Sequence, residues 1–298
     1  MKEEPLKIKT VYQCNRCMGC PTLHPLASVI DLSEVSPEQH SAQFDFYTIL
    51  LIEGATEECM YGRRYYDYSN ATAVFLTPGE PVRISGTETH ATRGWLLAFH
   101  PDLLRHTSLG KNIKTHSFFF YGQEEALHLS LREKAKAAEC ICHIKEELQH
   151  AIDGHSQTII VRYIELLLEY GSRFYERQFI TRCEANKSIL RQTDRLLDGY
   201  ILSGKLKDGS LPSAEYCAGM LHLSPAYFGD LLRFETGKSL YEYFQCKRLE
   251  AAKRMLLEPE STTGKVVEEL GYANIQYFSR LFKRWTGVAP NEYRHTQN

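Results

Sequence analysis

The chain has 298 residues, 43% of them hydrophobic and 11% aromatic, and a formal net charge of −2. That length suits two domains, and that composition excludes a disordered or low-complexity chain. No run approaches 18 apolar residues and the opening MKEEPLKIKT lacks the apolar stretch of a signal peptide, so a cytoplasmic protein with no membrane partner is expected.

Nine cysteines then read as reduced thiols. Cys140, Cys142, Cys183, Cys217 and Cys246 fall within helical patterns and read as packing residues. Residues 14–20, CNRCMGC, space Cys14, Cys17 and Cys20 as Cys-x2-Cys-x2-Cys, which lets thiolates converge on one ion or oxidise in pairs. A tetrahedral site needs a fourth ligand, for which His24, His40 and Cys59 are candidates. No second Cys-x2-Cys follows, so an inert arm over residues 1–23 is expected, with no cofactor assigned.

From Leu26 to His100, short apolar runs alternate with turn residues. Strands are predicted at Ser28–Leu32, Phe46–Ile52, Thr72–Leu76, Val82–Ile84 and Trp95–Phe99, and their spacing suggests an antiparallel sandwich or barrel. His100-Pro101 ends the last of them. Helices are predicted at 131–150, with Leu131, Ala135, Ala138, Cys142 and Leu148 near one face, and at 158–177, with Ile159, Tyr163, Leu166, Leu167, Tyr170 and Phe174 likewise. Asp153-Gly154 separates them, and they either close the core or pair with a second subunit. Glu176 to Asn186 is polar and reads as a connection between domains.

Beyond it, 186–298 holds 16 Lys+Arg against 13 Asp+Glu, an excess of the sign that phosphate contact needs. A helix near Lys187–Ile201 comes first, then a loop to Leu211, then a helix capped by Ser213 that runs to Leu221. The run Ser224-Pro-Ala-Tyr227-Phe228-Gly-Asp-Leu231…Thr236-Gly237 recurs 50 residues on as Asn274-Ile-Gln-Tyr277-Phe278-Ser-Arg-Leu281…Thr286-Gly287. Each copy is a helix preceded by a short helix and tight turn, with Gly271 ending the short helix of the second. Phe278, Leu281, Phe282 and Trp285 form one apolar stripe, and Pro290 starts a last short helix. Between the copies, a helix over Ser239–Leu257 turns Leu240, Phe244, Leu249, Ala252, Met255 and Leu256 inward. Its span of roughly 28 Å matches one turn of DNA.

The runs LSPAYFGDLLRFETGKSLYEY, KRLEAAKRML and LGYANIQYFSRLFKRWTGVAPNEYR resemble the DNA-binding domain of AraC/XylS-family transcription regulators over residues 186–298. The resemblance implies two helix-turn-helix units that bind double-stranded DNA, dimerisation through helices of the amino-terminal part, and often a cupin-like β-barrel ahead of the DNA-binding domain. TPGEPVRIS and GWLLAFHPDLL look like the latter half of such a barrel. A metal-dependent cupin enzyme needs His-x-His, which this chain lacks; His90 and His100 are isolated. A barrel without metal keeps an interior able to hold a small ligand.

The expected fold is therefore α+β and multidomain: an arm at 1–23, a cupin-like antiparallel β-barrel at 24–122, a helical dimerisation and linker region at 123–185, and an all-α domain with two helix-turn-helix units at 186–298. Gln276, Ser279, Arg280, Lys283 and Arg284, with Ile275 beside them, form the expected DNA-reading face of the second unit. Ala226, Gly229, Asp230 and Arg233 take the equivalent places in the first, where a carboxylate opposes phosphate and weakens the case for base reading. The expected function is a ligand-responsive, non-enzymatic transcription regulator, a homodimer with an unknown effector and RNA polymerase as a candidate partner. The alternative is a methyl-accepting, metal-sensing or redox-sensing protein that uses Cys14, Cys17 and Cys20 on the same DNA-binding domain.

Overall fold

A computed structural model describes residues 5–34, 41–53, 62–65, 67–83 and 93–296. The chain divides into two compact units, Met1–Cys183 and Glu184–Asn298. The candidate ligands His40 and Cys59, the isolated His90 and the predicted strand end at Ile84 lie outside the described residues.

The first unit is built on two sheets. Strands β1 (Leu6–Ile8), β2 (Ala27–Asp31), β3 (Ser41–Phe44), β4 (Tyr47–Glu53), β5 (Ala71–Leu76), β6 (Pro81–Arg83), β7 (Arg93–Phe99) and β8 (Leu127–Leu129) follow in chain order. They form a three-stranded sheet, β1-β3-β6, and a five-stranded sheet, β2-β7-β4-β5-β8. All pairings are antiparallel except β1 with β3. Among the described residues, then, the strands make two open sheets where a closed barrel was expected. Side-chain alternation explains how they pack. Leu50, Val74, Leu76, Leu96 and Ala98 point from the larger sheet into one buried cluster with Ile8, Ala42, Phe44 and Val82 of the smaller. Their neighbours Ile49, Leu51, Ala73, Phe75, Leu127 and Leu129 take the opposite face.

That opposite face is covered by two long helices. The first helix of the unit, α1 (Val11–Cys17), and the short α2 (Ser108–Asn112) precede them; α3 (Leu131–Gln149) and α4 (Ser156–Thr181) are the cover. Ser130 caps α3 in a reciprocal pair with Glu133. The buried faces match those read from the sequence only in part, at Leu148, Leu167 and Phe174. In α3, Ala137, Cys140, Ile141, Ile144 and Leu148 are buried, whereas Leu131 is 66% exposed and Ala135 is exposed. In α4, Ile160, Val161, Ile164, Leu167, Leu168 and Phe174 are buried, whereas Ile159 and Leu166 are exposed and Tyr163 and Tyr170 half-buried. Both helices are apolar enough to carry two candidate stripes about 100° apart, and only the sheet decides which one is covered.

Glu176–Asn186, expected as a connection between domains, is helical on both sides of Arg182: α4 runs to Thr181 and α5 (Cys183–Leu202) begins two residues later. Tertiary contacts recruit its polar side chains. Gln178 accepts from the backbone N–H of His128 at 2.8 Å and donates to Ala126 O at 3.0 Å, closing the edge of β8. Arg177 pairs with Glu133 and donates to His128 O, and Arg182 forms a bidentate pair with Asp67.

The cysteine segment is packed rather than a separate arm. Thr10 caps α1, and Cys14 is buried in the inter-sheet cluster with Met18. Burial pushes the Cys14 thiol up to about 12, with Cys17 and Cys20 nearby adding to the shift. Cys17 is exposed and Cys20 half-buried. Among the described residues no three His, Cys, Asp or Glu side chains are grouped to hold a metal, and no helix is long and apolar enough to cross a membrane.

The second unit is all helical: α5 from Glu184 on, α6 (Ala214–Met220), α7 (Pro225–Thr236), α8 (Leu240–Leu257), α9 (Thr263–Glu269), α10 (Ile275–Thr286) and α11 (Pro290–Thr296). A 3-10 turn, Lys205–Asp208, follows α5 and buries Leu206. One cluster holds them together, with Leu197, Phe228, Leu232, Phe244, Val266, Phe278 and Phe282 at its centre. Each such side chain removed from water contributes about 1.5–3 kcal/mol before entropy is set against it.

Candidate nucleic-acid interface

The repeat in the sequence is a repeat in hydrogen bonds. Ser213 caps α6 and Thr262 caps α9, each side chain accepting from the backbone N–H three residues on. Both short helices end in a left-handed residue, His222 (φ 56°) in the first copy and Gly271 (φ 63°) in the second. The next N–H folds back identically, Leu223 to Ala218 O and Tyr272 to Val267 O, each at 2.9 Å. One extra residue, Ala273, then lengthens the second turn. Ser224 caps α7 through Tyr227 N, and Asn274 caps α10 through Tyr277 N. Both long helices close on a left-handed glycine, Gly237 and Gly287, whose N–H returns to Arg233 O and Lys283 O at 2.8 Å.

Gly271 is the tightest point. A Cβ there would lie 1.9 Å from the carbonyl oxygen of Leu206, so both its backbone conformation and its neighbour demand glycine. Helix α8 braces the same turn. Its Arg248, 5% exposed, donates to Leu270 O at 2.6 Å and lies 4.0 Å from the centre of the Tyr272 ring. Burial lowers the Arg248 pKa, and the neighbouring Tyr272, Tyr241 and Tyr277 act against that shift. Arg294 of α11 closes the far end of α8 by donating to Ser261 O at 2.6 Å and to Pro259 O at 2.5 Å.

The outer face of α10 is polar and open. Gln276, Arg280, Lys283 and Arg284 are exposed, Ser279 is half-buried, and Ile275 is 46% exposed. Among the described residues no carboxylate pairs with Arg280, Lys283 or Arg284. Other cations of this unit are neutralised: Lys207 pairs with Glu269 at 2.7 Å, Lys247 with Asp194 at 2.7 Å and Lys253 with Glu250 at 2.8 Å. Arg280, Lys283 and Arg284 therefore stand together on one helix without an ion-pair partner among the described residues, where an external anion meets no carboxylate competing for them.

The equivalent face of α7 is quieter. Ala226, Gly229 and Asp230 are half-buried and Arg233 is exposed. Asp230, expected to be exposed, is engaged within the protein. The twin tyrosines diverge as well, Tyr227 being 3% exposed and Tyr277 44%. Trp285 departs from the predicted stripe: it is 46% exposed, and the buried side of α10 is Phe278 and Phe282 with Leu281 partly covered. The sequence alone did not mark Arg248 as a brace or Tyr241 as an exposed aromatic near it. The periodicity of α8 marked only its apolar positions, and nothing local announces a buried guanidinium.

Two helix-turn-helix units on one buried core define the class of this second unit. A helix-turn-helix domain model matches residues 217–296. The uncharacterized HTH-type transcriptional regulator YobQ of Bacillus subtilis is 44% identical over 75 residues, 25% of this chain and 31% of that protein. The bifunctional transcriptional activator/DNA repair enzyme AdaA of the same organism is 35% identical over 80 residues, 27% of this chain and 38% of that protein. The arabinose operon regulatory protein of Escherichia coli is 31% identical over 136 residues, 45% of each chain. The domain over residues 217–296 is therefore of the AraC/XylS type. The matches span less than half the length of each of these three relatives.

Proposed function

We propose that the chain is a sequence-specific regulator of transcription that binds double-stranded DNA through α10 and, more weakly, through α7. The observation that carries this reading is the outer face of α10, where Arg280, Lys283 and Arg284 have no carboxylate partner among the described residues. Arg280 suits bidentate contact with guanine, Gln276 suits adenine, and Ser279 suits either. Lys283, Arg284 and Arg233 suit phosphate. Ile275, Ala226 and Gly229 supply small or apolar contact, and half-buried Asp230 holds its place within the protein.

The first unit is the sensing and dimerising part, a cupin-like sandwich with α3 and α4 on one face. Ile159, Tyr163, Leu166 and Tyr170 recur along α4 at helical spacing and are exposed or half-buried, which suits a partner helix from a second copy. No enzymatic step is assigned: a thiol as deeply buried as Cys14 is poorly placed to act as a thiolate acceptor.

The test is selection of duplexes from a random pool by the full chain, followed by affinity measurements at two salt concentrations. An enriched motif whose binding weakens steeply with salt is expected. Recovery of no motif, with salt-independent retention, overturns the reading.

A further inference from the structure

After β7 the chain winds through short helical turns around an open pocket of about 510 Å³, within the range of small-molecule sites. Its floor is apolar, from Leu104 and Ile113. Its rim is cationic, from Arg105, Lys111 and Lys114, with the imidazole of His106 among them, and none of its lining residues is acidic.

The cations differ from others in this unit. Lys134 pairs with Glu53 at 2.9 Å and Lys136 with Glu139 at 2.8 Å. Lys111 and Lys114 have no ion-pair partner among the described residues, though three positions apart they repel each other. Arg105 is held by Asp102 at 2.8 Å, which fixes its direction. A concave surface of one sign over an apolar floor concentrates counter-ions.

The walls are fixed in advance. Gln157 of α4 donates to Leu103 O at 2.7 Å and to Arg105 O at 3.3 Å. Thr107 donates to Leu104 O at 2.7 Å and accepts from Gly110 N at 3.1 Å. Ser108 bonds Glu165 of α4. His106 sits at φ 63°, a conformation a non-glycine residue holds only when its surroundings impose it. Tyr47 of β4 contributes to the lining, and burial raises its pKa, so its hydroxyl stays a donor.

We propose that this pocket binds a small organic polyanion bearing carboxylate or phosphate groups, its charges met by Lys111, Lys114 and Arg105 and its body resting on Leu104 and Ile113. As a binding site it stands alone; that the anion is the effector rests on the regulatory reading above.

Calorimetry on the full chain at low ionic strength tests it with citrate, glucose 6-phosphate and uncharged glucose. Saturable binding of one citrate or one glucose 6-phosphate per chain is expected, with none for glucose. The anion that binds tells a carboxylate site from a phosphate site. The double variant Lys111→Gln, Lys114→Gln should weaken that binding by about tenfold or more, because two charge-assisted contacts are lost. Its thermal midpoint and its DNA affinity without anion should stay at wild-type values. Absence of saturable binding for both anions, or unchanged binding in the double variant, overturns the inference. DNA affinity measured on the same preparation separates that failure from failure of the regulatory reading.

Discussion

Arg280 and Lys283 lie one turn apart on the open face of α10, yet they ask different things of DNA. Arg280→Ala should cost about 1–3 kcal/mol on the selected site and relax preference at one or two base pairs. Lys283→Ala should weaken binding to matched and scrambled duplexes alike and lower the salt slope by about one. Titrations of both variants on both duplexes at two salt concentrations decide it; unchanged base preference in Arg280→Ala would remove that residue from the reading face. Gly271 tests the scaffold under them. Gly271→Ala must hold a left-handed alanine and push against Leu206 O, so a loss of about 3 kcal/mol or more is expected. Gly287→Ala meets nothing within 4 Å and should cost only the conformational part, about 1 kcal/mol. Thermal melts of the two variants compare them directly, and equal midpoints would mean that the Leu206 contact yields at no cost.

At the scale of elements, α8 does more than separate two recognition helices. Eighteen residues at 1.5 Å make it about 27 Å long, and its Arg248 fastens the turn that launches α10. The guanidinium is buried without a carboxylate, which is unfavourable unless its hydrogen bonds are made. Its partners are Leu270 O, Gln245 Oε1 and the Tyr272 ring. Arg248→Met fills the space but leaves the Leu270 carbonyl unpaired, so a loss of about 1–3 kcal/mol is expected in a chemical melt. DNA affinity should fall with it, because the turn sets where α10 points. A stable variant with full affinity would show that the turn holds without the brace. The same contest between local and tertiary preference appears in α3 and α4. Their sequences allow two apolar stripes, and the sheet face of Ile49, Leu51, Ala73 and Phe75 takes one of them.

For the whole molecule, the proposed association through the exposed stripe of α4 is open to a direct test. Leu166→Glu with Ile159→Glu places two charges on that stripe at its two exposed aliphatic positions. Sedimentation is expected to find the wild type dimeric and the variant monomeric. Affinity for a site with two half-sites should fall with it, through lost multivalency. Unchanged sedimentation would place any self-association elsewhere.

The sequence by itself determined the second unit nearly in full. Helix-turn-helix units are made of local contacts: caps three residues apart, a glycine turn, and an apolar stripe at helical period. The 50-residue repeat then tied Ser224 to Asn274 and Gly237 to Gly287 before any contact was known. It also named the exposed cations of α10, because they stand opposite Phe278 and Phe282. Five strands of the first unit were legible from their apolar runs, although β1, β3 and β8 were not, at three or four residues each. Only tertiary structure decided which stripe of α3 and α4 is buried, that Glu176–Thr181 continues a helix, and that Cys14 joins a core instead of a ligand set. It alone brought Arg105, Lys111 and Lys114 to one pocket rim. The physical reason is the same throughout. Local hydrogen bonds and periodicity are written in neighbouring residues, whereas burial and the charge pairs that tie one element to another depend on partners 40 or more positions away, such as Arg177 and Glu133 or Arg182 and Asp67.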